Sequence, residues 1–415
     1  MNDIARPQFE APVPIERRRA VAIAVGVFVT AFSDIKKLAE VPLQRLIKDD
    51  LGHSPADMAD FFAVAGLATY TIPLAVVLSD RLPLFGSRRR NYLLLSALAT
   101  ALLWLLTAAA PRAYGPLLVC VTALNAAVVL AGAAVAGLIA DEGAKGGATS
   151  HLSSLRVSMK YTAQVAAGAV SGYLAAVAFG FTCALGALLA IAVALAAWLL
   201  VDEPGAAAPG RPAPREPLLQ SARRLWSAPF LGAAAFLLFF FAAPGYWNLL
   251  FYHQTNTLGL DTHTIGILKS VNGVFGLLAA AAYARYGGRF GPRRLAAGVA
   301  LFTASTLAWL GYRSLPAAFL IEAADGFLGG LGLLAVQELT IRAAPRGLEA
   351  VGYSLLLGAS LLSGAISEVV GTRILSWFQL SLFELIVVSA AASAAALLLV
   401  PLLPRALFTW PKTAT

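Results

Sequence analysis

Long apolar segments, separated by short polar loops, follow one another along the whole chain. A helix needs about 20 residues to cross the hydrocarbon core of a bilayer, and most of these segments have that length. The pattern predicts an all-α integral membrane protein with twelve membrane-spanning helices, numbered here as spans 1 to 12. The predicted spans are 20–44, 57–79, 91–110, 114–140, 153–178, 180–201, 229–256, 262–286, 295–312, 315–340, 349–375 and 380–403.

The composition agrees with a membrane protein, because 59% of the residues are hydrophobic, 13% are charged and the mean hydropathy is +0.75. These values lie outside the range of soluble domains. The net charge of +9 comes from Lys and Arg in the loops and tails on one side of the predicted bilayer. The positive-inside rule makes that side cytoplasmic. We therefore expect a multi-pass protein of the inner membrane with both termini in the cytoplasm, and no nucleic-acid partner.

A polar segment rich in Pro, Gly and Arg divides the spans into two groups of six. Such a composition is typical of a flexible linker, which here lies on the cytoplasmic side. The predicted organisation is a tail at 1–19, a first half at 20–201, the linker at 202–228, a second half at 229–404 and a tail at 405–415.

An internal repeat supports this division. The sequence FGSRR at 85–89, after span 2, recurs as FGPRR at 290–294, after span 8, at an offset of 205 residues. Two six-helix halves joined by a polar linker resemble the architecture of the major facilitator transporters.

Three stretches also resemble the folate–biopterin transporter family, a branch of the same superfamily. The loop at 79–92 (SDRLPLFGSRRRNY) is similar to the major facilitator loop between helices 2 and 3, with Val76 in place of a leading glycine and three extra residues. With these three extra residues, the loop is similar to the motif S-D-x-x-P-x-F-G-x-R-R-R-x-Y of the folate–biopterin transporter family. Residues 46–55 (LIKDDLGHSP) and 251–260 (FYHQTNTLGL) are similar to two further motifs of the family. The resemblance implies secondary transport of a folate-like or pteridine-like organic anion by alternating access.

The loop at 79–92 also has a physical interpretation of its own. Its aspartate can accept hydrogen bonds from the free N–H groups at the start of a neighbouring helix, while its arginines meet carboxylates or lipid phosphates. We interpret the loop as a gating latch that joins the two halves in the outward-facing state. The alternative is a simple positive-inside anchor. The gating residues are Asp80, Arg81, Gly86, Arg88 and Arg89.

Charged residues fall within the first span. The apolar stretch 20–32 has only 13 residues, so a spanning helix has to carry Asp34, Lys36, Lys37 and Glu40 into the membrane. An ionised group there costs about 2.5–3.5 kcal/mol unless it is paired or faces water. The i, i+3, i+6 spacing of Asp34, Lys37 and Glu40 lets one helix face present all three. We expect Lys37 to bind the solute and Asp34 and Glu40 to exchange protons; a structural ion pair is the alternative.

Three further cations lie within predicted spans: Arg156 and Lys160 in span 5, and Lys269 in span 8. Arg156 and Lys160 are four residues apart and therefore share a helix face. In the transporters that this chain resembles, spans 5 and 8 form walls of the central cavity. Together with Lys37 these cations can converge on one solute anion, and we expect all four to bind it. For Arg156 the alternative is an interfacial residue whose guanidinium reaches the headgroups.

The acidic candidates for proton coupling are Asp325 in span 10 and Glu368 in span 11. A buried carboxyl group beside a cation can change its protonation as a solute anion arrives and leaves. The alternative for both residues is structural pairing with an intramembrane Lys or Arg. Glu322, three residues before Asp325, is expected nearer the outer surface.

Span 7 carries Pro244-Gly245, a pair that can kink or open a helix where it lines a cavity. Tyr246, Trp247 and Asn248 follow directly and can stack against, or hydrogen-bond, a flat ring. We therefore expect these three residues to bind the solute. The alternative is an aromatic belt that faces lipid.

No ATP-binding loop, zinc-ligand spacing or nucleophile elbow occurs in the sequence, so we expect neither an enzyme nor a cofactor. Transport then has to use an ion or solute gradient. We expect a monomeric, proton-coupled symporter whose partners are a small anionic solute, protons and membrane lipid. Three alternatives remain: export of an amphipathic metabolite, import of an unrelated solute such as a siderophore or cell-wall fragment, and a non-transporting assembly factor for a membrane complex.

Overall fold

A computed structural model describes most of the chain, and every structural statement below concerns the described residues. These residues are almost entirely helical, and their β pairing is confined to one bridge between Leu84 and Ser87. The described residues are 17–32, 35, 37–72, 74–75, 84–85, 87, 89–143, 149–201, 225–286, 291–345 and 348–408.

The helices of the first half run back and forth between two ends of the molecule. The end at which span 1 begins is called the termini end, and the opposite one the far end. The helices are Arg17–Phe32, Glu40–Arg45 and the π turn Leu46–Asp50 in span 1; Pro55–Ala65 and Leu67–Tyr70 in span 2; Arg90–Ala109 in span 3; Tyr114–Gly143 in span 4; Thr149–Ala176 in span 5; and Phe179–Leu200 in span 6.

The second half repeats this arrangement. Its helices are Ala228–Phe241, Trp247–Tyr252 and the π turn His253–Thr257 in span 7; Thr262–Tyr286 in span 8; Pro292–Ala308 and the 3₁₀ turn Trp309–Gly311 in span 9; Leu315–Ala324, the π turn Asp325–Gly329 and Gly330–Ala343 in span 10; Glu349–Phe378 in span 11; and Leu382–Ala395 and the 3₁₀ turn Ala396–Leu402 in span 12, before a last turn at Arg405–Leu407.

Eight of the described helices are long and apolar enough to cross a membrane, and spans 1 and 7 add the shorter apolar helices Ile23–Phe32 and Ala228–Phe241. The helical character and the length of the predicted spans agree with these helices. The number twelve stays a prediction, because spans 1, 2 and 7 are interrupted and part of span 2 lies outside the described residues.

Spans 1 and 7 are both interrupted, and their helices restart at equivalent positions of the repeat, Glu40 and Trp247. The first helix of span 1 ends at Phe32 and the chain becomes helical again at Glu40, while span 7 is non-helical from Ala242 to Tyr246. Lys37 therefore lies in a turn, and the prediction that one helix face presents it together with Glu40 is wrong. Asp34, the third residue of that prediction, lies outside the described residues. The predicted opening at Pro244-Gly245 is present, because Pro lacks the N–H that a continuous helix needs.

The internal repeat also includes the π turns that follow the two restarted helices. Equivalent residues of these turns are 207 positions apart. Each π turn ends in the same hydrogen bond, from Leu51 N to Leu46 O (3.0 Å) and from Leu258 N to His253 O (3.1 Å). The next residue is in each case a left-handed glycine, Gly52 (φ 68°) and Gly259 (φ 62°). A glycine ends a helix there without the steric cost that a Cβ would add.

Spans 5 and 8 join the two halves through a close backbone contact. A Cβ on Gly172 would lie 2.6 Å from Thr262 O and 2.7 Å from Gly266 Cα. Nearby, Ser270 Oγ donates to Val165 O at 2.9 Å. Small residues allow this approach, in agreement with the packing role of G-x-x-x-G patterns between membrane helices.

We expect Gly172→Ala to destabilise the folded protein by about 1–3 kcal/mol, because the new methyl group meets backbone atoms that cannot rotate away. Thermal unfolding in detergent would measure the loss. Gly180→Ala is the matched control, since a Cβ there meets no atom within 4 Å. Equal unfolding temperatures for the two variants would contradict the close contact.

Candidate functional site

The interruption of span 7 is hydrogen-bonded to span 11. Gly245 N donates to Ser367 O at 2.9 Å, and Ser367 Oγ donates to Ala243 O. The two Glu368 oxygens accept from the restarted helix: Oε1 from Trp247 N at 3.4 Å, and Oε2 from Asn248 N at 3.3 Å and Asn248 Nδ2 at 3.1 Å. Backbone groups at membrane depth have to find such partners within the protein.

Aromatic residues surround the start of the restarted helix. Tyr246 is buried, whereas Trp247 is 46% exposed. Their rings stack at 5.2 Å, and Trp247 also meets Trp309 edge-on at 5.2 Å. Trp309 stacks in turn on Tyr312 at 5.0 Å. The indole of Trp247 is therefore oriented by neighbours on one side and accessible on the other.

An ion pair joins span 8 to the point where span 1 becomes helical again. Lys269 Nζ lies 2.6 Å from Glu40 Oε2, and the side chains are 32% and 27% exposed. The sequence predicted a solute-binding role for Lys269 and a proton-exchanging role for Glu40. The structure brings these two residues into direct contact across the boundary between the halves.

Two acidic residues of span 10 lie beside Asn272 of span 8. Asn272 Nδ2 donates to Asp325 Oδ2 at 3.1 Å and to Glu322 O at 3.3 Å. Asp325 begins the π turn of span 10, and such turns within α-helices occur frequently at functional sites. Glu322, expected near the outer surface, is only 5% exposed. Glu322 is therefore a functional candidate that was not among the coupling residues predicted from the sequence.

Two contacts near the far end connect the halves, and the sequence analysis missed both. Arg373 of span 11 lies 2.7 Å from Asp60 of span 2. Tyr252 donates its hydroxyl hydrogen to His53 O at 2.5 Å. The rule that singled out Lys269, an ionisable residue within an apolar run, also applies to Asp60 and Arg373.

The remaining predicted site residues are described to different extents. Lys37 is partly exposed in its turn, and Arg156 and Lys160 lie on the helix Thr149–Ala176 with side chains outside the description. Arg89 is described and 8% exposed. The predicted residues that lie outside the described part are Asp34, Asp80, Arg81, Gly86 and Arg88.

The repeat of the basic loop in the second half is described in part and forms a charged cluster at the termini end. Arg294 lies 4.0 Å over the ring of Tyr283 and 3.7 Å from Glu338 Oε2. Glu338 also accepts from Tyr283 at 2.5 Å and pairs with Arg342 at 2.8 Å. An arginine of this second-half loop thus meets a carboxylate of the same half, and the latch role of the first-half loop stays a prediction.

We expect Lys269→Gln and Glu40→Gln each to lower the stability by about 1–3 kcal/mol, because each leaves a partly buried charge without its partner. The double variant should be closer to the unmodified protein than the sum of the two losses. Thermal unfolding of all four proteins in detergent forms the double-mutant cycle. Strictly additive losses would contradict a direct interaction.

Comparison with known proteins assigns the chain to a family. The model of the BT1 family matches residues 34–308, which is more than half of the chain. The folate-biopterin transporter of Synechocystis sp. is 26% identical over 365 residues, covering 82% of this chain and 72% of that protein.

Solved structures show the same fold at low identity. A variant of the nucleoside transporter NupG has a TM-score of 0.71 at 11% identity, covering 94% of this chain and 100% of that one. A D-xylose–proton symporter has a TM-score of 0.67 at 15% identity, covering 94% and 98%. A bacterial homologue of the human lysosomal transporter Spinster, inward-facing and unoccupied, has a TM-score of 0.63 at 14% identity, covering 95% and 97%.

The resemblance to the folate–biopterin transporters and the major facilitator architecture, both expected from the sequence, are confirmed by these matches. The chain belongs to the BT1 family and is a multi-pass membrane transporter with the major facilitator fold.

Proposed function

We propose that the protein is a proton-coupled symporter that carries a small organic anion with a flat ring, of folate or pteridine type, across the inner membrane by alternating access. The observation that carries this proposal is the Lys269–Glu40 ion pair between the two halves. The substrate class draws support from the similarity to the Synechocystis relative, a folate-biopterin transporter.

The ion pair can couple an anion to a proton. When a solute carboxylate binds Lys269, it displaces Glu40, and an unpaired carboxylate within the membrane is costly. Glu40 then takes up a proton from the medium. The assembly of Lys269 cation, solute anion and protonated Glu40 is neutral, as the original pair was. Anion and proton therefore cross together. Asp34 and Asp325 are the further coupling residues, and Lys37, Arg156 and Lys160 complete the anion site.

The ring of the solute is assigned to the start of the restarted helix in span 7. The exposed side of the Trp247 indole offers a stacking face, and its contacts with Tyr246 and Trp309 restrict its rotation. Aromatic rings prefer such offset or edge-on contacts. Asn248, beside Trp247, supplies the hydrogen-bonding group that distinguishes one ring from another.

Alternating access moves the first half, 20–201, against the second, 229–404, in a monomer with cytoplasmic termini. The Asp60–Arg373 and His53–Tyr252 contacts close the far end. The latch of Asp80, Arg81, Gly86, Arg88 and Arg89 closes the termini end in the opposite state. The Arg294–Glu338 cluster lies at the equivalent position of the second half.

Uptake of labelled folate, pteroate and biopterin by proteoliposomes under an inward proton gradient tests this function. We expect accumulation of at least one of them, and its loss in Asp34→Asn and Glu40→Gln with solute exchange retained, because exchange needs no net proton transfer. Asp50→Asn, an exposed carboxylate at the end of span 1, is the control.

Absence of flux for every pteridine, with the protein correctly inserted, would overturn the substrate class. Accumulation in everted vesicles alone would indicate export. A stable co-purifying protein without any flux would indicate an assembly factor.

The far-end contact has a separate test. We expect Arg373→Asp to reduce uptake, because two carboxylates then oppose each other where the halves have to close. The double variant Asp60→Arg/Arg373→Asp should recover much of the rate, since it restores an ion pair in reverse. Initial rates of uptake measure both. No recovery in the reversed pair would contradict a role of this contact in closure.

A further inference from the structure

We propose that Glu368 is a positioning residue, whose carboxylate fixes the geometry of the span 7 interruption and with it the Trp247 and Asn248 side chains. The inference rests on the proposed function for the solute, and it assigns Glu368 a different role from the proton coupling expected from the sequence. Its evidence is the set of hydrogen bonds between spans 7 and 11.

The interruption leaves backbone N–H groups of span 7 without hydrogen-bond acceptors in their own helix. Trp247 and Asn248 are the first residues of a restarted helix, and N–H groups at that position have no acceptor within their own helix. Water satisfies such groups on a soluble protein, but within a membrane the acceptor comes from the protein or from water in a cavity.

Both carboxylate oxygens of Glu368 accept hydrogen bonds from these residues. Oε1 accepts from Trp247 N at 3.4 Å, and Oε2 accepts from Asn248 N at 3.3 Å and Asn248 Nδ2 at 3.1 Å. The N-terminal end of a helix carries partial positive charge, so a carboxylate is favoured there. Because the Glu368 carboxylate binds these backbone N–H groups, it influences the solute site through the position of the span 7 backbone.

Span 11 presents Glu368 from a fixed position. Ser363, Ser367 and Gly371 are spaced by four residues and share the face that meets span 7. Ser363 Oγ donates to Leu238 O at 2.8 Å, and Gly371 lies so close to the Gly245 carbonyl that a Cβ would overlap it. The backbone from which Glu368 extends is therefore held against span 7.

The consequence for the solute concerns the orientation of the Asn248 amide. A carboxylate only accepts hydrogen bonds, so Asn248 has to turn its NH₂ group towards Glu368. Its Oδ1 then points elsewhere and can accept a hydrogen bond from a ring N–H. Glu368 thereby selects for a solute whose ring presents a donor at this point.

The first test needs no solute. Hydrogen exchange of the full-length protein, followed by mass spectrometry, reports the protection of the amides of Gly245, Trp247 and Asn248. We expect about tenfold faster exchange there in Glu368→Ala and a smaller increase in Glu368→Gln, which keeps one acceptor oxygen. The matched control is Glu384→Gln: Glu384 accepts from Ser381 N at 2.7 Å at the start of span 12, so its loss should affect only that helix. Unchanged exchange at the span 7 interruption in Glu368→Ala would overturn the proposal.

The second test separates positioning from coupling. In Glu368→Gln we expect the KM for the transported pteridine to rise about tenfold, because the binding side chains lose a hydrogen bond to a charged group. The accumulation ratio under a proton gradient should stay that of the unmodified protein. Loss of accumulation with exchange retained would show a coupling role and overturn the proposal. Faster hydrogen exchange in a protein that transports no pteridine would support the positioning role and refute only the proposed substrate.

Discussion

The structure depends on one constraint, which is that backbone N–H and C=O groups within a membrane have to find hydrogen-bond partners away from lipid, in the protein or in a water-filled cavity. Spans 1 and 7 break their own helices, so neighbouring spans have to supply the missing partners. Span 11 does so for span 7 through Ser367 and Glu368. Span 5 supplies an acceptor to span 1, because Val41 N donates to Ser171 Oγ at 3.4 Å. In return, the Arg45 guanidinium of span 1 donates to the Ala175 carbonyl of span 5. Each interruption is therefore a feature of two packed spans.

The same cost of burying polar groups explains where the charges meet. Glu40 pairs with Lys269, and Asp60 pairs with Arg373. Both pairs join the first half to the second. An ion pair can exchange one partner for a solute or a proton at lower cost than it can lose a partner outright. Charges that stabilise one state of a transporter are thus also suited to respond to its substrate.

The two halves share backbone geometry but differ in chemistry. The π turns, and the left-handed glycines Gly52 and Gly259, repeat at one offset, so the local fold of the hairpins is the same. The interruption of span 1 carries charged residues of its own, whereas that of span 7 carries Pro244-Gly245 and takes its carboxylate from span 11. A duplicated framework with unequal interruptions can place an anion site on one side and a ring site on the other.

The sequence by itself determined the membrane class, most of the helices, the opening at Pro244-Gly245 and the family. These features follow from contiguous residues, whose hydropathy, helix-breaking tendency and motifs are local properties. Only the tertiary structure decided that Glu40 meets Lys269, that Glu368 holds the backbone of span 7 and that Asp60 meets Arg373. Those partners are far apart along the chain, and the packing of separate helices selects them. The shared helix face expected for Lys37 and Glu40 is wrong, because Lys37 lies in a turn before the helix that begins at Glu40.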